Sequence, residues 1–208
     1  TRSRCRDWAD DESLFIKAAA GRQSHRASFI RGGLHQAAGR PVEAAREYEA
    51  AVARHPGAAE AWYGLAVSRA DAGQRAGARE AAERALALEP RNPVLRFGWA
   101  SRLAKEGDAL GAARLYRRAV ELEPTYLQAW VNLGAAYGRL GRRRDADAAF
   151  ATALRLAPAD PFARYAYGVV EERAGRRAAA AALYRAALER DPGFEPARRR
   201  LAGLGATR

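Results

Sequence analysis

Five prolines in the chain lie at a constant interval of 34 residues. One glycine column and two alanine columns keep the same interval. The columns are Pro56, Pro90, Pro124, Pro158 and Pro192; Gly39, Gly73, Gly107, Gly141 and Gly175; Ala44, Ala78, Ala112, Ala146 and Ala180; and Ala51, Ala85, Ala119, Ala153 and Ala187. Chance does not produce four columns with one period, and a fixed period of about 20–50 residues indicates a repeat architecture. The sequence therefore predicts an array of five similar units.

Each unit reads as two helices joined by a turn. The first helix ends at the glycine column, and the second ends where proline prevents its continuation. In the segment LQAWVNLGAAYGRLG, one helical stripe consists of Trp130, Leu133, Gly134 and Tyr137. A glycine inside a helix costs about 0.5–1 kcal/mol relative to alanine. We therefore expect Gly134 to let a partner helix approach closely.

These residues resemble the tetratricopeptide repeat (TPR) family. The family pattern is met in full by Trp130, Leu133, Gly134, Tyr137, Ala146, Phe150 and Pro158. The resemblance implies an all-α fold, a right-handed α-solenoid of five TPR helical hairpins with a C-terminal capping helix. The expected repeats span residues 25–58, 59–92, 93–126, 127–160 and 161–194. We expect residues 1–24 to form an extension with a short helix, and residues 195–208 to form the capping helix and tail.

Some repeats depart from the family pattern. Repeat three has Arg96 in the tryptophan place and Trp99 in the leucine place. Repeat five has Arg164 and Tyr167 there, and repeat one has Ser28 and Arg31. The last helix has Arg198 where the aromatic residue stood, which suits a polar cap on an otherwise bare apolar end.

The sequence contains none of the motifs that indicate catalysis or cofactor binding. A phosphate-binding loop, a dinucleotide fingerprint and a nucleophile elbow are all missing. The three histidines, His25, His35 and His55, lack the spacing of a helical metal pair, and the single cysteine, Cys5, excludes an intrachain disulfide. We therefore expect a protein that is not an enzyme and that has neither a cofactor nor a metal site.

In the TPR family the first helix of each repeat faces the binding groove. The resemblance therefore implies a groove formed by Phe29, Tyr63, Val67, Phe97, Ser101, Val131, Ala135, Tyr165, Val169, Arg139 and Arg173. Its aromatic residues either contact a guest or support the next repeat. Family members that grip a terminal carboxylate use a Lys/Asn/Arg cluster in the first three repeats, which is missing here apart from Asn132 in repeat four. An apolar or amphipathic segment of a partner protein is the expected guest.

Basic residues collect at the turns between paired helices. This arginine edge consists of Arg40, Arg75, Arg142, Arg143, Arg144, Arg176 and Arg177, interrupted by Asp108 in repeat three. It could contact RNA phosphates, acidic lipids or an acidic protein, or form a solvated rim. The chain has 36 Lys+Arg against 24 Asp+Glu, but only Lys17 and Lys105 are lysines, which suggests the codon bias of a GC-rich genome.

The resemblance implies a non-catalytic scaffold or adaptor that acts in a multiprotein complex. Alternatives are an RNA-binding organellar factor related to the half-repeat proteins, or the interaction module of a larger enzyme or of a bacterial pilus or secretion assembly protein. No apolar run approaches the length of about 20 residues that a membrane span needs, so we expect a soluble protein. The chain has no methionine even at position 1, so we expect a missing upstream segment. The bacterial envelope, the cytoplasm and a eukaryotic organelle stay open as compartments.

Overall fold

The computed structural model describes residues 24–206, and every regular element in that range is an α-helix. The helices form two compact units divided between Arg91 and Asn92. Unit 1 contains α1 (His25–Ala37), α2 (Pro41–Arg54), α3 (Ala59–Asp71) and α4 (Arg75–Leu88). Unit 2 contains α5 (Pro93–Lys105), α6 (Ala109–Leu122), α7 (Leu127–Arg139), α8 (Arg143–Leu156), α9 (Pro161–Arg173), α10 (Arg177–Arg190) and α11 (Glu195–Ala206). The predicted all-α fold is confirmed. The helix predicted in the segment DDESLFIKAAAG lies outside the described residues.

A glycine with positive φ closes the turn inside every hairpin. The five glycines of the 34-residue column have φ between 68° and 90°, a region that disfavours residues with a Cβ. In the first turn, the Gly39 N–H donates to the Gln36 carbonyl at 3.1 Å, and the Arg40 N–H donates to the His35 carbonyl at 2.9 Å. The same two bonds recur in the other four turns. This Schellman motif satisfies carbonyls that the helix end leaves unpaired, so the backbone conformation accounts for the glycine column.

In repeats one, four and five, an aromatic ring of the second helix lies against a glycine of the first. A Cβ placed on Gly134 of α7 would lie 2.8 Å from the Phe150 ring of α8. A Cβ placed on Gly168 of α9 would lie 2.5 Å from the Tyr184 ring of α10. Carbon atoms in contact normally lie about 3.5–4.0 Å apart, so each ring occupies the space of the missing side chain. The prediction for Gly134 is confirmed.

The tryptophan place provides a donor to a backbone carbonyl in repeats two to five. The Trp62 and Trp130 indole N–H groups donate, both at 2.8 Å, to the carbonyls of Pro56 and Pro124. In α11, the Arg198 guanidinium donates in the same way to the Pro192 carbonyl. The arginines of repeats three and five instead donate to carbonyls four residues back, Arg96 to Asn92 at 3.3 Å and Arg164 to Asp160 at 3.2 Å. Arginine thus replaces the hydrogen-bonding group of tryptophan in three places.

Repeat five fills its leucine place with a tyrosine that contacts repeat four. The Tyr167 ring stacks on Phe150 with centroids 4.6 Å apart, and its hydroxyl donates to Asp147 Oδ1 at 2.7 Å. Burial, followed by this bond to the carboxylate, raises the pKa of the Tyr167 phenol to about 12. The departure from leucine therefore adds a polar contact between α9 and α8 while keeping an apolar ring in the core.

The last helix covers the apolar end of unit 2. Ala197 of α11 is fully buried in a cluster with Ala180, Tyr184 and Ala187 of α10. Leu201 and Leu204 of α11 are half-buried against the same cluster. Because these residues remove apolar surface from water, α11 stabilises the end of the array.

We predict opposite effects from adding one methyl group at two helical glycines. Gly134→Ala should lower the free energy of unfolding by about 1–3 kcal/mol, because the Cβ meets the Phe150 ring. Gly33→Ala is the matched control, since its Cβ would meet only the Tyr48 hydroxyl at 3.7 Å. It should raise stability by up to about 1 kcal/mol through helix propensity. Urea unfolding followed by circular dichroism measures both effects, and equal effects would contradict the close approach at Gly134.

We also predict that removing residues 195–208 causes aggregation. The deletion exposes the cluster that contains Tyr184 and Ala187, and contiguous apolar surface promotes association. Light scattering coupled to size-exclusion chromatography should show larger species, and the thermal midpoint should fall. A chain lacking only residues 207–208 is the control and should stay unchanged. A monodisperse, equally stable 1–194 chain would contradict the capping role.

Candidate partner-binding cleft

Unit 2 contains an open cleft of about 690 Å³ between α7 and α9, bordered also by α11. Six of the predicted groove residues line it: Val131, Ala135, Arg139, Tyr165, Val169 and Arg173. The two first helices of repeats four and five run side by side, so equivalent positions on them face the same space. We refer to this space as the α7–α9 cleft.

The floor of the α7–α9 cleft is apolar. Val131 is only 2% exposed because it packs with Phe150, Ala153 and Ala163, so it forms the base and offers little contact surface. Ala135 and Val169 are half-buried and present more of their surface. A guest side chain placed here would exchange water for an apolar environment, which is favourable at about 25 cal/mol per Å² of buried area.

Eight lining residues were not among the predicted groove residues, and three of these eight offer an aromatic, polar or charged side chain. Phe162, at the first turn of α9, is 48% exposed and offers an aromatic ring. Asn132 lies next to Val131, and Arg200 comes from α11. A sequence signal existed for Asn132, which is polar on an otherwise apolar helix face. No signal existed for Arg200, because its position depends on how α11 packs on α9.

The cationic side chains of the α7–α9 cleft are partly engaged by the protein. Arg139 Nη1 donates to the Ala104 carbonyl of α5 at 2.6 Å. Arg200 Nη1 lies 3.4 Å from Glu172 Oε1, which does not line the cleft. Arg173 lies exposed in the last turn of α9. Among the lining residues that the structure describes there are three arginines and no carboxylate, so the formal charge of the lining is positive.

The predicted groove aromatics support neighbouring helices. The Tyr165 ring lies 5.9 Å from the Tyr184 centroid and 5.5 Å from the Phe194 centroid, so it both lines the cleft and packs on the core. The Phe97 ring lies 4.9 Å from the Tyr126 centroid and outside the cleft lining. Substituting these rings would disturb packing as well as any guest contact.

A hydrogen-bonded network joins the inner faces of α5 and α7. The Ser101 hydroxyl donates to the Phe97 carbonyl and accepts from the Tyr116 hydroxyl, both at 2.9 Å. Asn132 Nδ2 donates to the same tyrosine oxygen at 3.4 Å. Burial raises the pKa of the Tyr116 phenol. Ser101 therefore hydrogen-bonds with Tyr116 but does not line the α7–α9 cleft. Asn132 hydrogen-bonds with Tyr116 and also lines the cleft.

The predicted groove residues of unit 1 lie on its first helices, α1 and α3. Phe29 lines a smaller cleft of about 400 Å³ with Ile30, Ala58 and Ala61. Tyr63 and Val67 are half-buried on α3, and their role in one groove with Phe97 remains a prediction.

Neither a metal cluster nor a membrane helix occurs in residues 24–206. No group of three or more His, Cys, Asp or Glu side chains in this range could hold a metal ion. The rings of His25 and His55 lie with centroids 4.8 Å apart and planes tilted by 40°, which is a packing contact of two residues only. Within the same range, no helix is long and apolar enough to cross a membrane.

Most of the arginine edge in unit 2 is engaged in intramolecular contacts. Arg142 donates to Asp145 at 2.7 Å and lies over the Tyr137 ring. Arg143 lies 3.6 Å from Asp147. Arg177 donates to the Leu204 carbonyl of α11 at 2.8 Å. Arg40, Arg75 and Arg144 are exposed, and Asp108, which interrupts the column, caps α6 by accepting from the Gly111 N–H at 2.8 Å.

The shortest ion pair of the edge joins Arg176 to a buried carboxylate. The Glu171 side chain is 3% exposed and accepts two guanidinium bonds from Arg176, at 2.5 and 2.6 Å. A bidentate pair of this kind is strong and directional. The hydrogen bond to Glu171 raises the pKa of Arg176. This member of the edge therefore holds the α9–α10 turn together.

We predict that Arg176 contributes to stability through its pair with Glu171, and that Arg144 contributes little to stability. Arg176→Gln should shift the urea midpoint to lower concentration, because it leaves the Glu171 carboxylate buried without its partner. Arg144→Gln, at an exposed site on α8, should leave the midpoint unchanged. The double variant Arg176→Gln, Glu171→Gln should recover part of the loss. Equal midpoints for both single variants would contradict the structural role.

Comparisons with known proteins agree with this architecture. The Tetratricopeptide repeat family profile matches residues 31–93 and 135–193, more than half of the chain. No curated protein matches the chain. Among solved structures, YrrB, described as a TPR protein with an unusual peptide-binding site, is 22% identical, with a TM-score of 0.68 over 89% of this chain and 96% of that one.

Two further structures have the same fold. TTC0263, a thermophilic TPR protein of Thermus thermophilus, is 26% identical, with a TM-score of 0.60 over 88% of this chain and 100% of its own. MamA from Desulfovibrio magneticus RS-1 is 19% identical, with a TM-score of 0.69 over 82% of this chain and 97% of its own. These low identities bear on the fold alone, and the family follows from the profile match. The chain belongs to the tetratricopeptide repeat family.

Proposed function

We propose that the chain is a non-catalytic scaffold that holds a segment of a partner protein in the α7–α9 cleft, as a subunit or assembly factor of a multiprotein complex. The observation that carries the proposal is the cleft itself, with its apolar floor of Ala135 and Val169, the exposed Phe162 ring at its margin and arginines around it. Apolar contacts supply affinity in such a site, and the few polar groups fix orientation. The similar protein YrrB is described as having an unusual peptide-binding site, which supports a peptide segment as the guest.

The composition of the cleft supports binding over catalysis. Its described lining contains no serine, cysteine, histidine or carboxylate. The usual pairing of a nucleophile with a general base therefore has no candidates there. Tyr165 is the residue with a titratable hydroxyl, and it packs on Tyr184 and Phe194.

RNA binding is the weaker candidate. Proteins that bind single strands combine arginines with aromatic rings on which bases stack. In unit 2, three arginines of the edge contact the carboxylates of Asp145, Asp147 and Glu171. The Tyr167 ring packs on Phe150 and the Tyr165 ring on Tyr184, so these rings are already engaged by other rings.

Photo-crosslinking from the cleft tests the proposal. Phe162 is replaced by benzoylphenylalanine, which keeps an exposed aromatic side chain in place, and Leu110 of α6, exposed and outside the cleft, is the matched control position. We expect a crosslink from position 162 to one defined segment of a partner in extracts of the native source. Mass spectrometry of the crosslinked peptide identifies that segment.

A blocking variant makes the same experiment specific. Ala166 lies in the cleft lining, so Ala166→Trp should fill the space and lower partner affinity at least about tenfold, equivalent to about 1.4 kcal/mol. Circular dichroism checks that helicity is retained. Ala174→Trp, at an exposed position of the same lining, provides a second block if the first perturbs folding. The same adducts from position 110, or adducts at 162 that survive both blocks, would show that the cleft is not the binding surface.

A further inference from the structure

We propose that the guest of the α7–α9 cleft is an acidic amphipathic segment, and that Arg200 of the capping helix binds its carboxylates together with Arg139 and Arg173. This inference rests on the proposed function and specifies its partner. Its origin is a juxtaposition: arginines from α7, α9 and α11 line one apolar cleft, and no described lining residue is acidic.

The arginines retain the capacity to bind a guest. A guanidinium has five N–H donors, and the carbonyl of Ala104 accepts from only one nitrogen of Arg139. Arg173 is exposed in the last turn of α9. Planar guanidinium groups bind carboxylates through two parallel hydrogen bonds, a geometry that favours acidic side chains over neutral ones.

Arg200 is held by a side-chain hydrogen bond with Tyr165, which lines the same cleft, and by a pair with Glu172 that a guest can replace. Its distance of 3.4 Å from Glu172 Oε1 is at the long end for a charge-assisted bond, and its side chain is 45% exposed. The other carboxylate oxygen of Glu172 accepts from the Tyr184 hydroxyl at 2.6 Å. Glu172 therefore keeps a hydrogen bond when Arg200 turns toward a guest carboxylate in the cleft.

The floor of the cleft requires apolar side chains on the same segment. Ala135, Val169 and Val170 offer apolar surface without a hydrogen-bonding side chain. A segment with apolar residues on one side and Asp or Glu beside them satisfies both the floor and the arginines. Since acidic side chains suffice, a free C-terminus is not required.

Net charge favours an acidic partner over a second copy of the chain. The formal net charge of the protein is +12, so two copies repel one another over long range. An acidic segment is attracted to the same field, and complementary charge increases the association rate and specificity.

A peptide selection tests the inference on the full chain. A random peptide display library is selected on the protein, and enriched sequences are synthesised with acetylated and amidated termini, so that no terminal carboxylate contributes. Fluorescence anisotropy then measures their affinity for the protein and its variants. We expect enriched peptides to combine apolar with acidic residues, and replacement of Asp and Glu by Asn and Gln to weaken binding about tenfold or more.

Matched arginine variants assign the contact to Arg200. Arg200→Gln and Arg173→Gln should each lower affinity at least about fivefold, and Arg200→Lys should recover only part of the loss, because it keeps charge but not the planar group. Arg199→Gln is the control: Arg199 is on the same helix, 79% exposed, outside the α7–α9 cleft lining and paired with Glu195. It should change affinity less than about twofold.

The outcomes separate the two proposals. The acidic partner would be overturned if neutral or basic peptides bind, lose affinity for Ala166→Trp or Ala174→Trp, and keep full affinity for Arg200→Gln. The cleft would remain the binding site. Both proposals would be overturned if the peptides bind Ala166→Trp and Ala174→Trp with unchanged affinity, or if the selection enriches no peptide. Acidic peptides that respond to the blocks but not to Arg200→Gln or Arg173→Gln would overturn the arginine assignment.

Discussion

The fold depends on the close approach of paired helices across small residues, which in repeats one, four and five are glycines. The Phe150 ring occupies the space that a Cβ on Gly134 would need, and Tyr184 does the same at Gly168. Both rings are fully buried, so a large apolar area leaves water while the backbones stay close. The alanine columns extend this contact because Ala146, Ala153 and their equivalents add little volume. The glycine of each turn, whose backbone is in the left-handed conformation, then sets the angle between the two helices of the hairpin.

The cleft follows from this packing. The rings that fill the hairpins also support the first helices from behind, as Phe150 does for Val131 and Tyr184 for Tyr165. Those helices therefore present a fixed face, on which small residues leave space and longer side chains form the margin. A site on rigid helices is held in place more accurately than one on loops, so binding needs little reorganisation of the protein.

The sequence was sufficient for the fold because its signals are local and repeated. Proline, glycine and alanine columns state where helices end, turn and pack, and Gly134 is costly in a helix unless something lies against it. The residues of the cleft were harder to predict from the sequence. Periodicity defines a helix face only to about one residue in either direction, so it favoured the mostly buried Val131, although the polar Asn132 beside it also lines the cleft. Arg200 and the Arg176–Glu171 pair depend on contacts across a turn or between helices, which no spacing encodes.

The small number of contacts that hold α11 has a thermodynamic consequence. The helix is held by a small apolar cluster, the Arg177 bond to the Leu204 carbonyl and the Arg200–Glu172 contact. Elements with few buried apolar contacts open locally at a lower free energy than the whole domain. A ligand that needs Arg200 binds only the molecules in which α11 is docked, so its apparent dissociation constant is the intrinsic one divided by the docked fraction. Binding of the ligand in turn increases the docked fraction of α11 by mass action. The degree to which α11 is docked therefore reports whether a partner is bound.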